Sequence, residues 1–425
     1  MEPKIRFKGY MFGWVSEAIG LYYNFKNGLN KSKEYFGFGT PIVNFTDVFN
    51  NRVLDYASLK GRVFVTKEEI ANYSVQKGDL FFTRTSETLE EIGYPSVMLS
   101  DSPQTVYSGF VLRGRAINND PLVDVFKSYV FFTTSFRKEM IRKSSMTTRA
   151  LTSGNRLKEM IFTYPKAEDE QFKIGNYFLT LDNKIQTTSK KLESLKKLKS
   201  ASLVAMFPQQ GKTTPKVRFK GFEGEWKKVK FLEIFEFLKN NSLSRAELSS
   251  KGDFINIHYG DILIKYGDLV NIQNEELTYI RDCRIGQTLY KMCSLQNGDI
   301  IIADAAEDYS VGKCSEIVNI GNNKVVSGLH TIPCRPLITF AQGYLGHYIN
   351  SNSYHNQLLP LIQGSKISSI SKKTLSQTSV FVPSYEEQQA IATFFRSLDR
   401  KIALETARLE KLKQIKLACL DKMFV

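Results

Sequence analysis

Cations and hydroxyl groups lie together in two segments of the chain, each shortly before a long helical pattern. In the first half, Arg142-Lys143-Ser144-Ser145-Met146-Thr147-Thr148-Arg149 mixes guanidinium, ammonium and hydroxyl groups. In the second half, Gln363-Gly364-Ser365-Lys366 through Lys372-Lys373 is polar and basic at the corresponding place. Such side chains donate hydrogen bonds to phosphate oxygens, and an arginine can also read a base edge. A solvated helix face is the alternative for any single residue, but two basic segments in equivalent positions favour a binding surface.

The candidate nucleic-acid contacts are the basic and polar side chains of these segments and of the strands before them. They are Arg84, Arg113, Arg115, Arg137, Lys138, Arg142, Lys143, Thr147, Arg149, Lys313, Gln363, Ser365, Lys366, Lys372 and Lys373.

The net charge supports a polyanionic partner without proving one. The 425 residues carry 58 Lys and Arg against 43 Asp and Glu, a formal net charge of +15. An excess of this size is typical of nucleic-acid binding. Lysine used only for solubility is the alternative.

The chain contains the same pattern twice. Pro3-Lys4-Ile5-Arg6-Phe7-Lys8-Gly9-Tyr10 with Trp14 returns as Pro215-Lys216-Val217-Arg218-Phe219-Lys220-Gly221-Phe222 with Trp226. The segment from Glu170 to Phe207 aligns without a gap on Glu387 to Phe424. A period this long corresponds to a whole domain plus a helix, not to a solenoid repeat. The sequence therefore predicts two copies of one building block.

Two long amphipathic helices are predicted, one after Pro165 and one after Pro383. Ser384 with Glu387 forms a capping-box pattern, and acidic residues begin the first helix. Apolar residues then recur at spacings of three and four, which indicates a coiled-coil-like stripe. Packing on its own domain is the alternative for a single stripe, whereas two equivalent stripes favour pairing with each other. The predicted contacts between the helices and with partner subunits are Leu181, Ile185, Leu192, Leu195, Leu198, Leu398, Ile402, Leu409, Leu412 and Ile415.

The globular parts are predicted to mix strands and helices, which gives an α/β chain of the mixed α+β type. Two similar domains would be separated by two long antiparallel coiled-coil-like helices, related by a pseudo-twofold internal repeat. The predicted elements are strands ending in an acid at 41–48 and 253–262, strands at 80–83 and 300–303 after Gly-Asp turns, and helices near 123–142 and 340–359.

The residues needed for self-contained catalysis are missing from the pattern. No Pro-Pro pair occurs, so the amine-binding loop of amino methyltransferases is absent, and Phe36-Gly37-Phe38-Gly39 is predicted to be a turn and not a cofactor loop. Gly211-Lys212-Thr213 lacks the earlier glycine of a phosphate-binding loop and is predicted to be a linker. All five cysteines and all four histidines lie in the second half, without the spacing of a zinc site. We therefore predict no metal and no catalytic residue, in a protein of the reducing cytoplasm.

These features resemble the specificity subunit of type I restriction–modification enzymes. The resemblance rests on Glu170-Gln171 and Glu387-Gln388 at the helix starts, and on Leu181-Asp182-x-Lys184-Ile185 with Leu398-Asp399-x-Lys401-Ile402 inside the helices. Gly78-Asp79-Leu80 and Gly298-Asp299-Ile300 complete the set, in the same order in both halves. One departure is that 144–149 lacks the Gln-Gly-Ser-Lys turn of the second copy.

The resemblance implies a fold, partners and a function. Target-recognition domains would occupy 1–163 and 211–382, and conserved spacer helices 164–210 and 383–425. Each domain would read one half of a bipartite site on double-stranded DNA. Two methyltransferase subunits using S-adenosylmethionine would methylate adenine N6, and two ATP- and Mg-dependent restriction subunits would translocate and cleave DNA. The chain itself would bind no cofactor, contact no membrane and be cytoplasmic. There are two alternatives. One is a self-contained DNA-modifying enzyme, and the other is a coiled-coil scaffold that binds DNA without sequence preference.

Overall fold

The structure, a computed structural model, describes residues 2–273, 276–364 and 366–425. It contains two compact units. The first comprises the chain up to Ser189 together with Ala407–Val425, and the second comprises Lys190–Thr406. Each compact unit contains the first part of one long helix and the last part of the other, because these segments pack on the globular residues.

The first unit contains short strands, short helices and the beginning of a long helix. Its strands are β1 (Val15–Ala18), β2 (Tyr23–Asn27), β3 (Phe36–Val43), β4 (Val53–Leu54), β5 (Arg62–Val63), β6 (Leu80–Thr83), β7 (Thr85–Ser86), β8 (Pro95–Met98), β9 (Val106–Tyr107), β10 (Val111–Ala116), β11 (Ser145–Met146), β12 (Ala150–Leu151) and β13 (Ile161–Tyr164). Its helices are α1 (Phe45–Asn50), α2 (Lys67–Asn72), α3 (Asp124–Val130), α4 (Thr134–Lys143), α5 (Gly154–Lys158) and the start of α6 (Glu168–Ala205).

The second unit begins with the rest of α6 and has the same construction. Its strands are β14 (Lys227–Lys230), β15 (Phe235–Phe237), β16 (Leu248–Ser249), β17 (Phe254–Ile257), β18 (Leu269–Asn271), β19 (Tyr279–Ile280), β20 (Ile300–Ala303), β21 (Ala305–Ala306), β22 (Cys314–Val318), β23 (Lys324–Ser327), β24 (Thr331–Pro336), β25 (Ser368–Ser369) and β26 (Ser379–Val382). Its helices are α7 (Phe231–Ile234), α8 (Tyr259–Ile264), α9 (Cys283–Cys293), α10 (Tyr344–Ile349), α11 (Asn352–Leu358), α12 (Lys372–Ser376) and the start of α13 (Tyr385–Met423).

The main sheet has the same topology in both units. In the first unit the strand order is β2-β10-β6-β8-β4, and in the second it is β15-β24-β20-β22-β18. Each sheet is antiparallel except for one parallel pair at its edge, β4 with β8 and β18 with β22. In each unit the first strand also pairs antiparallel with the strand before the long helix, β1 with β13 and β14 with β26. The predicted mixed fold and its internal repeat are confirmed.

Several predicted elements need correction. The strands at 80–83 and 300–303 are present, but Asp47 and Asp261 lie on α1 and α8 and do not end strands. Asn44 caps α1, and the Asp47 carboxylate accepts a hydrogen bond from the Asn44 backbone at 2.8 Å, so the acid stabilises a helix start. Each predicted helix near 123–142 and 340–359 is two helices. The predicted turn at residues 36–39 begins β3, where Gly37 and Gly39 adopt φ of +105° and +88°.

The repeated Gly-Asp motif forms a turn that is tied to a neighbouring strand. Asp79 accepts the backbone N–H of Gln76 at 2.8 Å and two hydrogen bonds from Arg115 at 2.8 and 2.6 Å. Asp299 does the same with the backbone of Gln296 and with Arg335, at 2.7, 2.9 and 2.7 Å. A bidentate arginine–carboxylate pair of this kind fixes the relative orientation of the two side chains and also stabilises their opposite charges. The repeated motif is therefore part of the scaffold.

The N-terminal motif of each copy holds the start of the long helix. Arg6 donates two hydrogen bonds, at 2.7 and 2.9 Å, to the buried carboxylate of Glu170. Arg218 donates to the buried Glu387 at 2.6 and 2.7 Å. Ser384 accepts the Glu387 backbone N–H at 3.3 Å, so only half of the predicted capping box forms. The other half is absent because the Glu387 carboxylate binds arginine instead.

Each hydrophobic core contains the end of the long helix that began in the other unit. In the first unit, Phe424 lies against Trp14, with ring centroids 6.0 Å apart, and against Phe178 at 5.6 Å. In the second unit, Phe207 lies against Trp226 at 6.3 Å and stacks on Phe395 at 5.8 Å. Burial of these aromatic rings anchors both helix ends.

The two long helices run antiparallel to each other in both units. In the first unit the Tyr177 hydroxyl lies 3.3 Å from the Cys419 sulfur, and Lys416 lies 2.5 Å from Asp182. In the second unit Lys199 lies 2.5 Å from Asp399, and Lys191 lies 2.5 Å from Glu405. Residue numbers rise on one helix as they fall on the other, which confirms the predicted antiparallel pairing.

The residues of the predicted apolar stripe differ in burial. Leu181, Leu192, Leu398 and Leu409 are buried. Leu198 and Ile415 are 49% and 36% exposed, so these two remain predicted contacts of partner subunits and not of the facing helix. The four remaining positions are intermediate in exposure: Ile185, Leu195, Ile402 and Leu412. The stripe drifts because an α-helix has 3.6 residues per turn, so a fixed pattern does not stay on one face.

Among the described residues, no helix is both long enough and apolar enough to cross a lipid bilayer.

Candidate nucleic-acid interface

A short hairpin at residues 145–151, called here the first hairpin, carries part of the predicted basic segment. Its strands β11 and β12 pair with each other, and β12 also pairs with β7, which continues from the central strand β6. The tip residues Thr147, Thr148 and Arg149 are exposed. The Arg149 guanidinium is 58% exposed and lies 3.1 Å from the exposed carboxylate of Glu87. The tip is thus presented to solvent by an ordered strand and not by a loose loop.

The second unit contains the equivalent hairpin at residues 363–369, called here the second hairpin. Gln363 and Ser369 exchange backbone hydrogen bonds of 3.0 and 2.7 Å, and β25 pairs with β21. Lys366 and Ile367 are exposed. The predicted contact Ser365 lies outside the described residues.

The two hairpins are attached in the same way. In the first unit, the Arg84 backbone N–H donates to the Phe110 carbonyl at 2.9 Å, and the Arg84 carbonyl accepts from Thr152 at 3.1 Å. In the second unit, the Asp304 N–H donates to the His330 carbonyl at 3.1 Å, and the Asp304 carbonyl accepts from Ile370 at 2.9 Å. Arg84 therefore corresponds to Asp304, and Phe110 corresponds to His330. The backbone is shared, and the exposed side chains differ.

Other predicted contacts lie on α4, directly before the first hairpin. Lys138 and Arg142 project into solvent one helical turn apart, and the Arg142 side chain is 76% exposed. Lys143 is less free, because its ammonium group lies 3.1 Å from Glu159 and 3.9 Å from Glu139. The exposed cations of α4 can reach a polyanion without breaking a buried contact.

Four predicted arginine contacts have guanidinium groups that already bind protein oxygens. Arg113 is buried and donates to the Ser74 carbonyl at 2.6 Å, and Arg115 holds Asp79 as described above. Arg137 donates to two backbone carbonyls, both at 2.9 Å, and burial lowers its pKa to about 10. Arg84 is partly buried, with a 3.4 Å contact to the Gly109 carbonyl. The assignment of Arg113, Arg115 and Arg137 as DNA contacts is corrected, because their donors are committed to the fold.

Two predicted lysines of the second unit are also held by the protein, whereas a third is free. Lys313 donates to the carbonyls of Leu263 at 3.0 Å and Tyr266 at 3.2 Å, and burial lowers its pKa. Lys372 donates to a backbone carbonyl at 3.0 Å. Lys373 is exposed at the start of α12. We reassign Lys313 to the scaffold for the same reason as the buried arginines.

One group of side chains has the composition of a metal site. Ligand atoms of Asp268, His347 and Asp399 lie within 4.8 Å of one another. The Lys199 ammonium, however, lies 2.6 Å from Asp268 and 2.5 Å from Asp399. His347 Nδ1 faces the Gly343 carbonyl at 2.6 Å and Nε2 faces Asp399 at 2.9 Å, so both nitrogens must donate. A doubly protonated imidazole cannot ligate a metal, and these groups form an ion network instead.

Sequence reasoning missed Glu87, Tyr259, Asp304 and His330. The sequence analysis weighs histidine for metal binding and catalysis and not for DNA contact, and the acids have the charge opposite to that expected of a DNA contact. The position of Asp304, directly after a predicted strand and before the repeat of the basic segment, was the one signal that could have found it.

Comparison with known proteins gives a consistent result. A family model described as the type I restriction modification DNA specificity domain matches residues 223–414. The specificity subunit of the type I restriction enzyme MjaIX from Methanocaldococcus jannaschii is 24% identical over 289 residues, which cover 66% of this chain and 58% of that protein. This chain therefore matches little more than half of that relative's length. The putative MjaX specificity subunit from the same organism is 22% identical over 409 residues, covering 92% of this chain and 88% of the relative.

The fold is shared with a solved structure. The crystal structure of a type I restriction–modification system S subunit from M. genitalium superposes with a TM-score of 0.62 over 100% of this chain and 99% of that one, at 15% sequence identity. At this identity the likeness establishes the fold. Neither a self-contained DNA-modifying enzyme nor a scaffold without sequence preference finds support in these comparisons. With the domain match, the relatives that extend along most of the chain and the doubled architecture, the chain is similar to the specificity subunits of type I restriction–modification enzymes.

Proposed function

We propose that this chain is the DNA sequence-specificity subunit of a type I restriction–modification complex. Its two units each bind one half of a bipartite site on double-stranded DNA and direct adenine-N6 methylation and restriction by partner subunits. The observation that carries the proposal is the pair of equivalent hairpins, each attached to its sheet by equivalent backbone hydrogen bonds. The first presents Thr147 and Arg149, and the second presents Lys366 and Ile367. Two readers with one scaffold and different exposed side chains suit two different half-sites.

Affinity and sequence choice have separate sources in this proposal. The exposed cations of α4 and of the hairpins neutralise phosphates, which gives affinity that falls as salt rises. Arg149 and the polar tip residues contact base edges, and each specified base pair contributes about 1–3 kcal/mol. The buried arginines keep the hairpin supports rigid. This division explains why a unit can change its reading surface without changing its core.

The chain acts as a recognition component, and the chemistry belongs to its partners. We propose two methyltransferase subunits that use S-adenosylmethionine and two restriction subunits that use ATP and Mg, with no cofactor bound by this chain. The antiparallel helix pair is the proposed docking surface, and Leu198 and Ile415 are among its exposed apolar side chains. The assembled enzyme would work in the cytoplasm, where its DNA substrate is found.

The test is methylome sequencing of cells that express this chain with its methyltransferase subunit, compared with cells that lack this chain. The expected result is a new bipartite methyladenine motif with two short specified halves around an unspecified gap. Arg149→Ala should then weaken recognition of one half, and Lys366→Ala should weaken recognition of the other. A stable complex that methylates no such motif, or equal loss at both halves for each variant, would contradict the proposal.

A further inference from the structure

His330 lies beside the second hairpin and is connected to it by backbone hydrogen bonds. It directly precedes β24, and its carbonyl accepts the backbone N–H of Asp304, the residue between β20 and β21. The Asp304 carbonyl in turn accepts the N–H of Ile370, directly after β25. His330 is therefore linked through one residue to the strand that carries the hairpin. Its side chain is 50% exposed.

The imidazole is held by groups on two other elements. His330 Nδ1 lies 3.1 Å from a carboxylate oxygen of Asp304, and its ring meets Tyr259 of α8 edge-to-face at 5.2 Å. Because an ionised carboxylate can only accept, Nδ1 carries a proton and donates. Among the described residues, Nε2 has no hydrogen-bond partner. The ring is thus fixed at one nitrogen and available at the other.

The backbone at this residue is in an unusual conformation. His330 has φ of +52°, in the left-handed region that non-glycine residues seldom adopt. A conformation of this kind costs free energy and persists where surrounding structure imposes it, often at functional sites.

The first unit shows that the fold does not require these side chains. The residues on the equivalent backbone are Phe45, Arg84 and Phe110, where the second unit has Tyr259, Asp304 and His330. Phe110 is 56% exposed and can offer only apolar contact. The imidazole and its carboxylate are therefore a property of the second unit alone, as expected of residues that set what each unit reads.

We infer that His330 is a specificity-determining residue of the second unit, contacting a base edge in the major groove through Nε2. Asp304 is a positioning residue, since it fixes the imidazole and the proton on Nδ1. The inference rests on the proposed DNA-reading function and names a contact that neither hairpin supplies. The corresponding contact of the first unit is the Phe110 ring, which suits a thymine methyl group.

The test uses the full chain with its methyltransferase subunits and reads the methylated motif by methylome sequencing. His330→Asn is the main variant, because asparagine tolerates the left-handed backbone but is too short to reach the same atom. The expected result is loss of preference at one position of the second half-site, by about tenfold to a hundredfold, with the first half-site unchanged. Asp304→Asn should relax the same position, since a positioning role predicts the same change in motif.

Two controls separate the outcomes. His355→Asn alters a histidine of the same unit whose Nε2 lies 3.1 Å from the Tyr309 carbonyl oxygen, and it should leave the motif unchanged. Phe110→His should alter one position of the first half-site alone. If wild type writes a bipartite motif and folded His330→Asn writes the same motif with the same preference, the inference is wrong. Uniformly weaker binding with an unchanged motif would indicate a phosphate contact and would also overturn it. If wild type writes no motif, the proposed function fails first.

Discussion

The ammonium group of Lys199 on α6 lies 2.5 Å from a carboxylate oxygen of Asp399 on α13. The same pair occurs in the first unit with the helices exchanged, since Asp182 of α6 lies 2.5 Å from Lys416 of α13. In both units the aspartate also accepts a hydrogen bond from the globular part. Asp399 accepts from His347 at 2.9 Å, and Asp182 accepts from the Tyr129 hydroxyl at 2.9 Å. The lysines that interrupt the apolar stripe therefore fix the register of the helix pair.

Removing this ammonium group should destabilise the second unit. Lys199→Met removes the ammonium group from Asp268 and Asp399 in a partly buried site and leaves the two carboxylates to share the His347 imidazolium. We expect a loss of about 1–3 kcal/mol in the free energy of unfolding. The measurement is urea unfolding followed by Trp226 fluorescence in a Trp14→Phe background, because Trp226 is buried in this unit. Lys197→Met is the control, since that exposed lysine pairs with the exposed Glu193, at 2.6 Å, and should cost under about 0.5 kcal/mol. Equal effects of the two variants would refute the role of Lys199.

The arginine of each N-terminal motif should be essential to its own unit. Arg6→Met leaves the carboxylate of Glu170, which is 1% exposed, buried without a cation. Removing one partner of such a pair costs about 3 kcal/mol or more. Trp14 fluorescence in a Trp226→Phe background reports the first unit, and Arg218→Met with the opposite reporter tests the second. An Arg6→Met protein as stable as the exposed-site variant Arg142→Ala would contradict this assignment.

The sequence predicted the repeat and its elements better than it predicted their contacts. Arg6 and Glu170 were both noticed because they recur in the second half, but their pairing spans 164 positions and could not be read from either motif. Arg113 and Arg149 look alike in sequence. The first is buried because the Ser74 carbonyl and the Tyr107 ring enclose it, and the second is exposed because it lies at a hairpin tip. Which cations face solvent is decided by remote residues, and this is why Arg113, Arg115, Arg137 and Lys313 were misassigned.

The buried His347 should give the second unit a pH-dependent stability. Burial lowers its pKa, but the hydrogen bond to Asp399 and the charge of Asp268 raise it, and the net shift is upward. A raised pKa means that the stabilisation is fully present below about pH 6.5 and is lost as the pH rises through the folded-state pKa. The difference in unfolding free energy between wild type and His347→Gln should therefore be larger at pH 6 than at pH 9, as measured by urea unfolding with Trp226 fluorescence.

His355 should give the second unit a pH dependence of stability opposite in sign to that of His347. Burial lowers its pKa, so its protonation opposes folding as the pH falls below about 6.5. Wild type should therefore lose stability relative to His355→Gln on acidification. If both histidine variants show the same pH dependence, the ion network does not hold His347 in its charged form.

Buried and exposed leucines on α6 should respond differently to a charge. Leu192→Asp places a carboxylate at a site only 8% exposed, and we expect a loss of about 3 kcal/mol or more. Leu198→Asp changes an exposed side chain and should alter stability by less than about 0.5 kcal/mol. Leu409→Asp and Ile415→Asp repeat the comparison on α13.

The double variant Leu192→Asp with Leu409→Asp should also lose the methyltransferase subunits, which light scattering would show as a smaller complex mass. An unchanged mass would argue against the helices as the docking surface.

The exposed cations of α4 should contribute to DNA binding through phosphate charge alone. Arg142→Ala and Lys138→Ala each remove one cation from the face before the first hairpin, while all buried contacts remain. Each phosphate contact contributes about 0.9 to the slope of log affinity against log salt, so each variant should flatten that slope by about this amount. Fluorescence anisotropy of a duplex carrying the methylated motif, titrated at several salt concentrations, measures it. Lys184→Ala, an exposed lysine of α6, is the matched control and should leave the slope unchanged.

Arg149→Ala should instead relax sequence specificity, because a base contact determines which sequence is bound whereas a phosphate contact determines the salt dependence. A slope that changes equally for Arg142→Ala and Lys184→Ala would mean that α4 attracts DNA only through the net charge of the chain.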